Sequence, residues 1–155
     1  MKEFNKYQLQ EELKKALHSR NQENSKYFFY QDFVTIEYND QCEWLYADWK
    51  GYQTEYSVKE GCEKMLEASK LFNCSKILND NTNTVGIWTP AFKWMGTNWL
   101  PSMAEAGVKF FALVYSSSDM SRLSAGGVVG ATGSSNIVQT FENLESAETW
   151  LNEQK

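Results

Sequence analysis

The sequence has almost none of the histidine that catalytic and metal sites usually require. Its single histidine is His18, which lies in a charged segment near the start of the chain. Ser-His-Asp catalysis, Cys-His catalysis and histidine-rich metal sites all need an imidazole placed on the fold core. We therefore expect a protein without such an active site, without a bound metal and without a cofactor.

Cysteine is also scarce, and its spacing disfavours two kinds of framework. The three residues are Cys42, Cys62 and Cys74, an odd number with no C-x-x-C pair. This pattern is typical of reduced thiols rather than of a disulfide scaffold or a zinc site. Cys62 falls on the apolar face of a predicted helix, which indicates a small core residue.

Excess positive charge and long apolar runs are missing too. The net charge is −5, and the sequence contains no basic cluster. Nucleic acids and anionic membranes attract basic surfaces, so we expect neither as a partner. No apolar stretch approaches the ~20 residues that cross a bilayer, and the N-terminal segment lacks the apolar region of a signal peptide. The expected location is cytoplasmic, without membrane insertion.

Aromatic side chains, in contrast, are abundant. Hydrophobic residues make up 42% of the 155 residues and aromatic residues 15%, which is enough for one core without disulfides. We predict one domain over residues 27–155. An amphipathic helix and a polar linker, together residues 1–26, precede it.

The periodicity of the apolar residues predicts an α/β fold. Alternation predicts strands, and spacings of three and four predict helices. The expected elements are a hairpin over 33–49, a helix over 54–72, a strand at 76–80, a helix from Thr89, strands at 108–115 and 137–141, and a helix from Asn143. Strands joined through helices return parallel. The result is a mixed sheet of about five strands with helices packed on it.

The helix over 54–72 is the strongest in the sequence, although it contains a glycine. Gly61 weakens a helix by about 1 kcal/mol relative to alanine, which suggests that another part of the protein packs closely against it. Two residues have suitable spacing to cap the start of this helix. They are Ser57, which forms a capping-box pattern with Glu60, and Thr54.

A polar run, NDNTNTVG, follows the predicted strand at 76–80. It lies at the carboxyl end of a parallel strand and just before the helix that begins at Thr89. Unpaired amides and the positive end of the helix dipole favour an anion or an acceptor there. The same side chains also stabilise ordinary turns. The candidate residues of this binding or regulatory loop are Asn79, Asp80, Asn81, Thr82 and Thr84.

Aromatic residues concentrate on and around the helix that follows. The residues at spacings of three and four, typical of a core-facing stripe, are Trp88, Phe92, Met95, Trp99 and Met103. Trp94 falls off that stripe, and an exposed indole is typical of an interface or of the wall of an apolar pocket. Trp88, Trp94 and Trp99 are therefore candidates for the core, for a surface or for a pocket.

The glycine-rich segment over residues 124–136 invites comparison with a phosphate-binding loop. It lacks the G-x-x-x-x-G-K-S/T pattern and contains no lysine. The amide cradle of a nucleotide site is therefore not indicated, and a surface loop explains the segment better.

The order of several phrases resembles that of a known family. The phrases WLYADWKGYQT, VKEGCEKML, KILNDNTNTVGIW, WLPSMAEAGVKFFALV and IVQTFENLESAETWL follow one another over about residues 30–152. They are similar to the SpoIIAA-like, STAS-related small bacterial domains. The resemblance implies a STAS-like α/β fold, which is also compared with the CRAL-TRIO lipid-binding domains.

In the anti-anti-sigma factors of that superfamily, a partner kinase phosphorylates a serine in an Asp-Ser-Ser-Gly motif that follows a central strand. The matching place in this chain is residues 81–84, which contain no serine. This chain departs from the family pattern there, and Thr82 and Thr84 are the residues whose hydroxyl groups could substitute for the serine in principle. A phosphate there would add about −2 charge and would repel an acidic partner.

Three functions remain open from the sequence. The preferred one is a non-catalytic regulatory or protein-binding domain that acts through the polar run and the helix after it, with a protein partner or as a homodimer. The second is a carrier of a small apolar ligand or lipid, which needs a cavity of roughly 300 Å3 or more. The third is an enzyme that uses Asp48, Asp80 and Ser or Thr hydroxyl groups, with the two carboxylates converging in a cleft.

Overall fold

One six-stranded sheet organises the computed structural model, which describes residues 5–19, 27–86, 89–119 and 137–155. The strands, in spatial as well as chain order, are β1 (Tyr27–Tyr30), β2 (Val34–Asn39), β3 (Trp44–Tyr52), β4 (Lys76–Val85), β5 (Phe110–Val114) and β6 (Val138–Phe141). The first three strands are antiparallel, and β3 to β6 are parallel. The predicted α/β class is confirmed. The sheet has one strand more than expected, because β1 reads YFFY and shows no alternation.

Helices flank the sheet, and in the described residues they connect β3 to β4 and β4 to β5. Their bounds are α1 (Lys6–Ser19), α2 (Glu55–Phe72), α3 (Thr89–Trp94), α4 (Leu100–Glu105) and α5 (Leu144–Glu153). The α1 helix contacts the end of α2, where Gln10 Nε2 donates to the backbone carbonyl of Lys70 at 2.8 Å. In the described part of the chain, no helix has both the length and the apolar character needed to cross a membrane.

A π-helical turn, Met95–Trp99, joins α3 to α4. Pro101 then occupies the first turn of α4. Proline removes one backbone donor and crowds the carbonyl four residues before it, so a wider turn just upstream relieves the clash. The helical path therefore runs on through Pro101 into α4.

The start of α2 is fixed by a reciprocal pair of hydrogen bonds. Thr54 Oγ1 accepts from the Ser57 backbone N–H at 3.1 Å, and Ser57 Oγ accepts from the Thr54 backbone N–H at 2.9 Å. Thr54 is therefore the cap, and Ser57 lies three residues inside the helix. At the last helix, the predicted cap is confirmed, since Asn143 Oδ1 accepts from the Ser146 N–H at 2.9 Å.

The sheet buries both of its faces. We call them the α2 face, which α2, α3, the π turn and α4 cover, and the α5 face, which α5 covers. The largest buried strand residues of the α2 face are Val34, Ile36, Leu45, Trp49, Ile77, Phe111 and Leu113. Those of the α5 face are Trp44, Leu78 and Val114. Each large side chain contributes roughly 1.5 to 3 kcal/mol by leaving water, so this double burial dominates the stability of the fold.

Gly61 lies against the indole ring of Trp49. A Cβ atom added at Gly61 would stand 2.8 Å from Trp49 Cζ3 and closer still to Cη2. Real carbon atoms make contact at about 3.5 to 4.0 Å. The predicted close approach at Gly61 is confirmed, and Cys62, beside it, is fully buried in the core.

The turn between β2 and β3 covers residues 40–43. The left-handed backbone falls on Glu43, with φ 60, rather than on Asn39 or Asp40. The Asn39 side chain instead accepts from the backbone N–H groups of Gln41 and Cys42, at 3.0 Å each. Asn39 therefore stabilises the turn through its side chain.

Candidate binding site

Parallel strands β3 and β4 carry the candidate site near their carboxyl ends, and a β-bulge shapes it. Asp48 pairs with Asp80 and Lys50 pairs with Asn83, so β4 contains one extra residue between the two pairs. An extra residue reverses which face the following side chains point to. Thr84 consequently lies on the α2 face, where a regular strand would have placed it on the α5 face.

The bulge brings polar side chains of β4 together in a cavity between the sheet and the helices. Its apolar walls are Trp49, Met95, Trp99, Leu100, Phe111 and Leu113, with Val58 and Val138 at its ends. Its polar lining residues are Gln53, Asn79, Asn81 and Thr84. The cavity measures ≈ 20 Å3, which is room for about one water molecule. This is far below the roughly 300 Å3 that a carrier of a small apolar ligand needs, so a larger molecule can enter only if lining side chains move aside.

A chain of side-chain hydrogen bonds runs along the sheet into this cavity. Trp49 Nε1 donates to Asn79 Oδ1 at 2.8 Å, and Asn79 Nδ2 donates to Asn81 Oδ1 at 3.3 Å. Asn79 and Asn81 are each 6% exposed. Asn81 Nδ2 donates to no atom of the described residues, and the side chain lines the cavity. Burying an amide costs free energy unless its hydrogen bonds are made, so this donor is an unusual feature of the core.

The other polar lining residues are satisfied by protein groups. Gln53 Nε2 donates to the Phe33 and Lys50 carbonyls, and Gln53 Oε1 accepts from the Ser57 hydroxyl at 2.8 Å. Thr84 Oγ1 donates to the Asn81 carbonyl at 2.8 Å. Among the polar lining residues, Asn81 therefore keeps the most donor capacity, since its Nδ2 makes no hydrogen bond within the described residues, whereas Asn79 Nδ2 already donates once.

The wall opposite the sheet is the π turn. Met95 and Trp99 both line the cavity from it. Trp99 is held in place because its Nε1 donates to the Cys62 carbonyl at 2.6 Å and its ring packs edge-on against Phe111. Met95 has a flexible, unbranched side chain that adapts to irregular shapes. Single π turns occur often at functional sites, and here the turn forms the adjustable side of the cavity.

The polar run that the sequence placed in a loop is part of a strand. Asn79, Asp80, Asn81, Thr82 and Thr84 all belong to β4, which is ten residues long. The loop prediction was wrong because β3 pairs with β4 as far as Val85, while β5 pairs with it on the other side up to Asp80. Pairing of this kind overrides the turn preference of Asn and Asp. Strand alternation then divides the candidates between two faces of the sheet.

The predicted aromatic candidates separate in the same way. Trp99 is 3% exposed and lines the cavity. Trp94 is half-buried and lies outside the cavity lining. The Lys59 ammonium lies over its ring, 5.7 Å from the ring centre. Trp88 and the glycine-rich segment over 124–136 lie outside the described residues.

On the α5 face, Asp80 is tied down by its neighbours. Its Oδ2 accepts from the Tyr46 hydroxyl at 2.9 Å, and its Oδ1 accepts from both the backbone N–H and the hydroxyl of Thr82. Burial, followed by the charge and hydrogen bond of Asp80, raises the pKa of the Tyr46 phenol. Tyr46 therefore stays protonated, and its role here is to donate to the carboxylate.

Asp48 lies directly across from Asp80 and is less well satisfied. Its Oδ2 stands 3.5 Å from Lys50 Nζ, whereas its Oδ1 is buried and accepts no hydrogen bond from the residues that the structure describes. Burial raises the pKa of the Asp48 carboxyl, with a further contribution from the charge of Asp80, while Lys50 opposes the shift. The two carboxylates named as enzyme candidates are thus neighbours in the sheet, on the face opposite the cavity.

Of the cavity residues, only Asn79, Asn81, Thr84 and Trp99 were identified as site candidates from the sequence. Trp49 lies in EWLYADW, whose alternation indicated only a strand, while Gln53 and Leu100 carried no signal that separated them from core or loop residues. Trp49 was recognisable in principle, because alternation places it on the same face as Leu45 and Ala47 at the end of the strand.

Comparison with known proteins adds no assignment. No family model, no curated protein and no solved structure matches the chain. Within the residues that the structure describes, no three His, Cys, Asp or Glu side chains cluster in a way that could hold a metal ion.

Proposed function

We propose that this protein is a non-catalytic domain that binds a small, largely apolar molecule in the cavity of the α2 face. The observation that carries this proposal is the pair of asparagine amides, nine-tenths buried among aromatic and aliphatic side chains. A sequence that only had to fold would place apolar residues there, because buried polar groups lower stability unless fully bonded. Local departures from folding rules concentrate at functional sites.

The chemistry of the lining favours binding over catalysis. Every described residue that lines the cavity has a side chain that is apolar, aromatic, an amide or a threonine hydroxyl. None of these described residues titrates near neutral pH, so none offers a general acid or base. The sequence resemblance supports a regulatory or carrier role for such a domain, with a STAS-like fold. The cytoplasmic location expected from the sequence remains part of this proposal.

Native mass spectrometry of freshly purified protein tests this proposal. We expect a fraction of the protein to retain a co-purified small molecule. Val138→Phe should reduce that fraction, because Val138 lines the cavity and the larger ring occupies it. Val85→Phe is the matched control, since Val85 is 37% exposed and lies outside the cavity lining. A protein that carries no added mass and gains no thermal stability from any member of an apolar compound library contradicts the proposal.

Exposed aromatic side chains favour protein binding as a second function. Tyr52 is 79% exposed and Tyr56 is 71% exposed, at the end of β3 and the start of α2. Val85, the sheet partner of Tyr52, is partly exposed beside it. Tyrosine is enriched at the energetic centres of protein interfaces. A protein partner or a second copy of this chain could therefore dock on this surface, which we call the tyrosine surface.

The burial of β4 limits how such docking could be regulated. Thr84 is 2% exposed and its hydroxyl is engaged, so a kinase could reach it only after local unfolding. Thr82 is exposed and is the better candidate for modification. Light scattering and pull-down with Tyr52→Ala test the tyrosine surface, and Tyr7→Ala, at a tyrosine 70% exposed on α1, is the control. Equal assembly and equal partner recovery for both variants would rule this surface out.

A further inference from the structure

We infer that the cavity selects ligands that carry a neutral hydrogen-bond acceptor, such as a ketone, ester or amide carbonyl, and that Asn81 Nδ2 is the group that holds it. This inference rests on the proposed ligand-binding function. It goes further by stating which chemical group the ligand must present and which atom of the protein recognises it.

The direction of the hydrogen-bond chain fixes the donor. An indole N–H only donates, so the Asn79 atom that faces Trp49 Nε1 must be the carbonyl oxygen. The Asn79 nitrogen then points to Asn81 and donates, so the Asn81 atom that receives it must also be an oxygen. The Asn81 nitrogen is left on the side of the cavity. Trp49 therefore sets the orientation of both amides, and the cavity receives two N–H groups rather than a carbonyl.

The surroundings of Asn81 separate a neutral acceptor from an anion. The described lining residues include no lysine, arginine or histidine side chain. An anion in an enclosed apolar site loses its hydration and needs a paired positive charge to compensate. A carbonyl needs only one or two N–H donors, which Asn81 supplies. The apolar walls include Trp49, Trp99 and Phe111, and the rest of the molecule would lie against them once lining side chains such as Met95 have moved aside.

The test uses three probes of similar shape with the unmodified protein. Acetophenone presents a neutral carbonyl on an aromatic ring, ethylbenzene lacks the acceptor, and benzoate replaces it with an anion. Each is titrated at neutral pH into 15N-labelled protein, and NMR follows the Asn81 side-chain NH2 and the Trp49 indole N–H. We expect acetophenone to bind about 2- to 13-fold more tightly than ethylbenzene, the range that one neutral hydrogen bond gives, and benzoate to bind most weakly. Acetophenone should move both signals.

A variant pair separates recognition by Asn81 from general apolar binding. Asn81→Ala should abolish the preference for acetophenone over ethylbenzene. Thr82→Ala, at the next residue of β4 but with its hydroxyl on Asp80, should keep it. If the three probes bind equally to the unmodified protein, or if Asn81→Ala retains the preference, the inference is wrong and the apolar cavity still stands. If no probe binds at all, the proposed function fails with it. The probe comparison does not depend on the folding of Asn81→Ala.

Discussion

Gly61→Ala should destabilise this protein, although the same change stabilises most helices. Replacing glycine inside a helix by alanine gains about 1 kcal/mol of helix propensity. Gly61 lies in α2, where the added methyl group would overlap the benzo ring of Trp49, with 2.8 Å to Cζ3 and less to Cη2. Trp49 cannot easily move away, because its ring is 4% exposed and its N–H is bonded to Asn79.

The magnitude follows from two opposing effects. Overpacking a filled core typically costs about 1 to 3 kcal/mol, and the steric overlap here exceeds half an ångström. Against the propensity gain of about 1 kcal/mol, we expect a net loss of up to about 2 kcal/mol. Urea unfolding at 25 °C, followed by circular dichroism, measures it. The slope of the unfolding free energy with urea should not change, since the folded state buries a similar surface.

A double-mutant cycle with Trp49→Phe isolates the overlap from other effects of the methyl group. A phenyl ring is shorter than an indole and frees the space beside Gly61. In the Trp49→Phe background, Gly61→Ala should therefore become neutral or stabilising by up to about 1 kcal/mol. Gly61→Ala that raises the free energy of unfolding in the original protein would show that the contact with Trp49 is wrong. An unchanged loss in the Trp49→Phe background would show that something other than the indole opposes the methyl group.

Three further predictions concern stability. The raised pKa of Asp48, caused by burial against the opposing charge of Lys50, means that the folded protein binds this proton more tightly than the unfolded chain does. The protonated Asp48 carboxyl therefore stabilises the folded protein at a pH below the ordinary aspartate pKa of about 3.9, and this stabilisation is lost as the pH rises through the higher pKa of the folded state. Urea titrations should find Asp48→Asn more stable than the original protein at pH 7 but not at pH 4. Thr54→Ala removes the acceptor for the Ser57 N–H and should lower the free energy of unfolding in urea by about 1 kcal/mol. A loss smaller than that caused by replacing an exposed threonine elsewhere by alanine would refute the capping role. Glu43→Gly should raise the free energy of unfolding by about 1 kcal/mol, because Glu43 has a left-handed backbone, and a loss of stability would refute this.

The elements that the sequence predicted well are those with a strong local signal. The α2 helix, with apolar residues at spacings of three and four, lies within one residue of its predicted bounds. The central strand β5 is buried on both faces, as its continuous apolar run indicated. Gly61 was informative because a glycine in a strong helix needs a packing reason, and Trp49 supplies it.

The site was harder to predict, because its geometry depends on pairing between distant segments. Asn and Asp have weak strand preferences, so the second half of β4 resembles a turn when taken alone. Its backbone is satisfied by β3, more than 30 residues earlier in the chain at the Asp48–Asp80 pair. No local pattern marks the extra residue in β4. The face of each side chain beyond Asp80 therefore could not be derived from alternation.

The β-bulge and the hydrogen-bond chain together explain why a polar segment lies inside an apolar core. Asn79 and Asn81 reach the α2 face through regular alternation, and the bulge adds Thr84, whose hydroxyl bonds to the Asn81 backbone and braces the strand at that point. Trp49 then orients the amides so that the last N–H groups face the cavity. If folding were the only requirement, replacing Asn81 by leucine should raise stability, since it removes an incompletely bonded amide from the core. Such a gain in urea unfolding, together with loss of acetophenone binding, would indicate that the chain sacrifices stability at this position for recognition. A large loss of stability would instead mean that the amide holds the core together and that its role is structural.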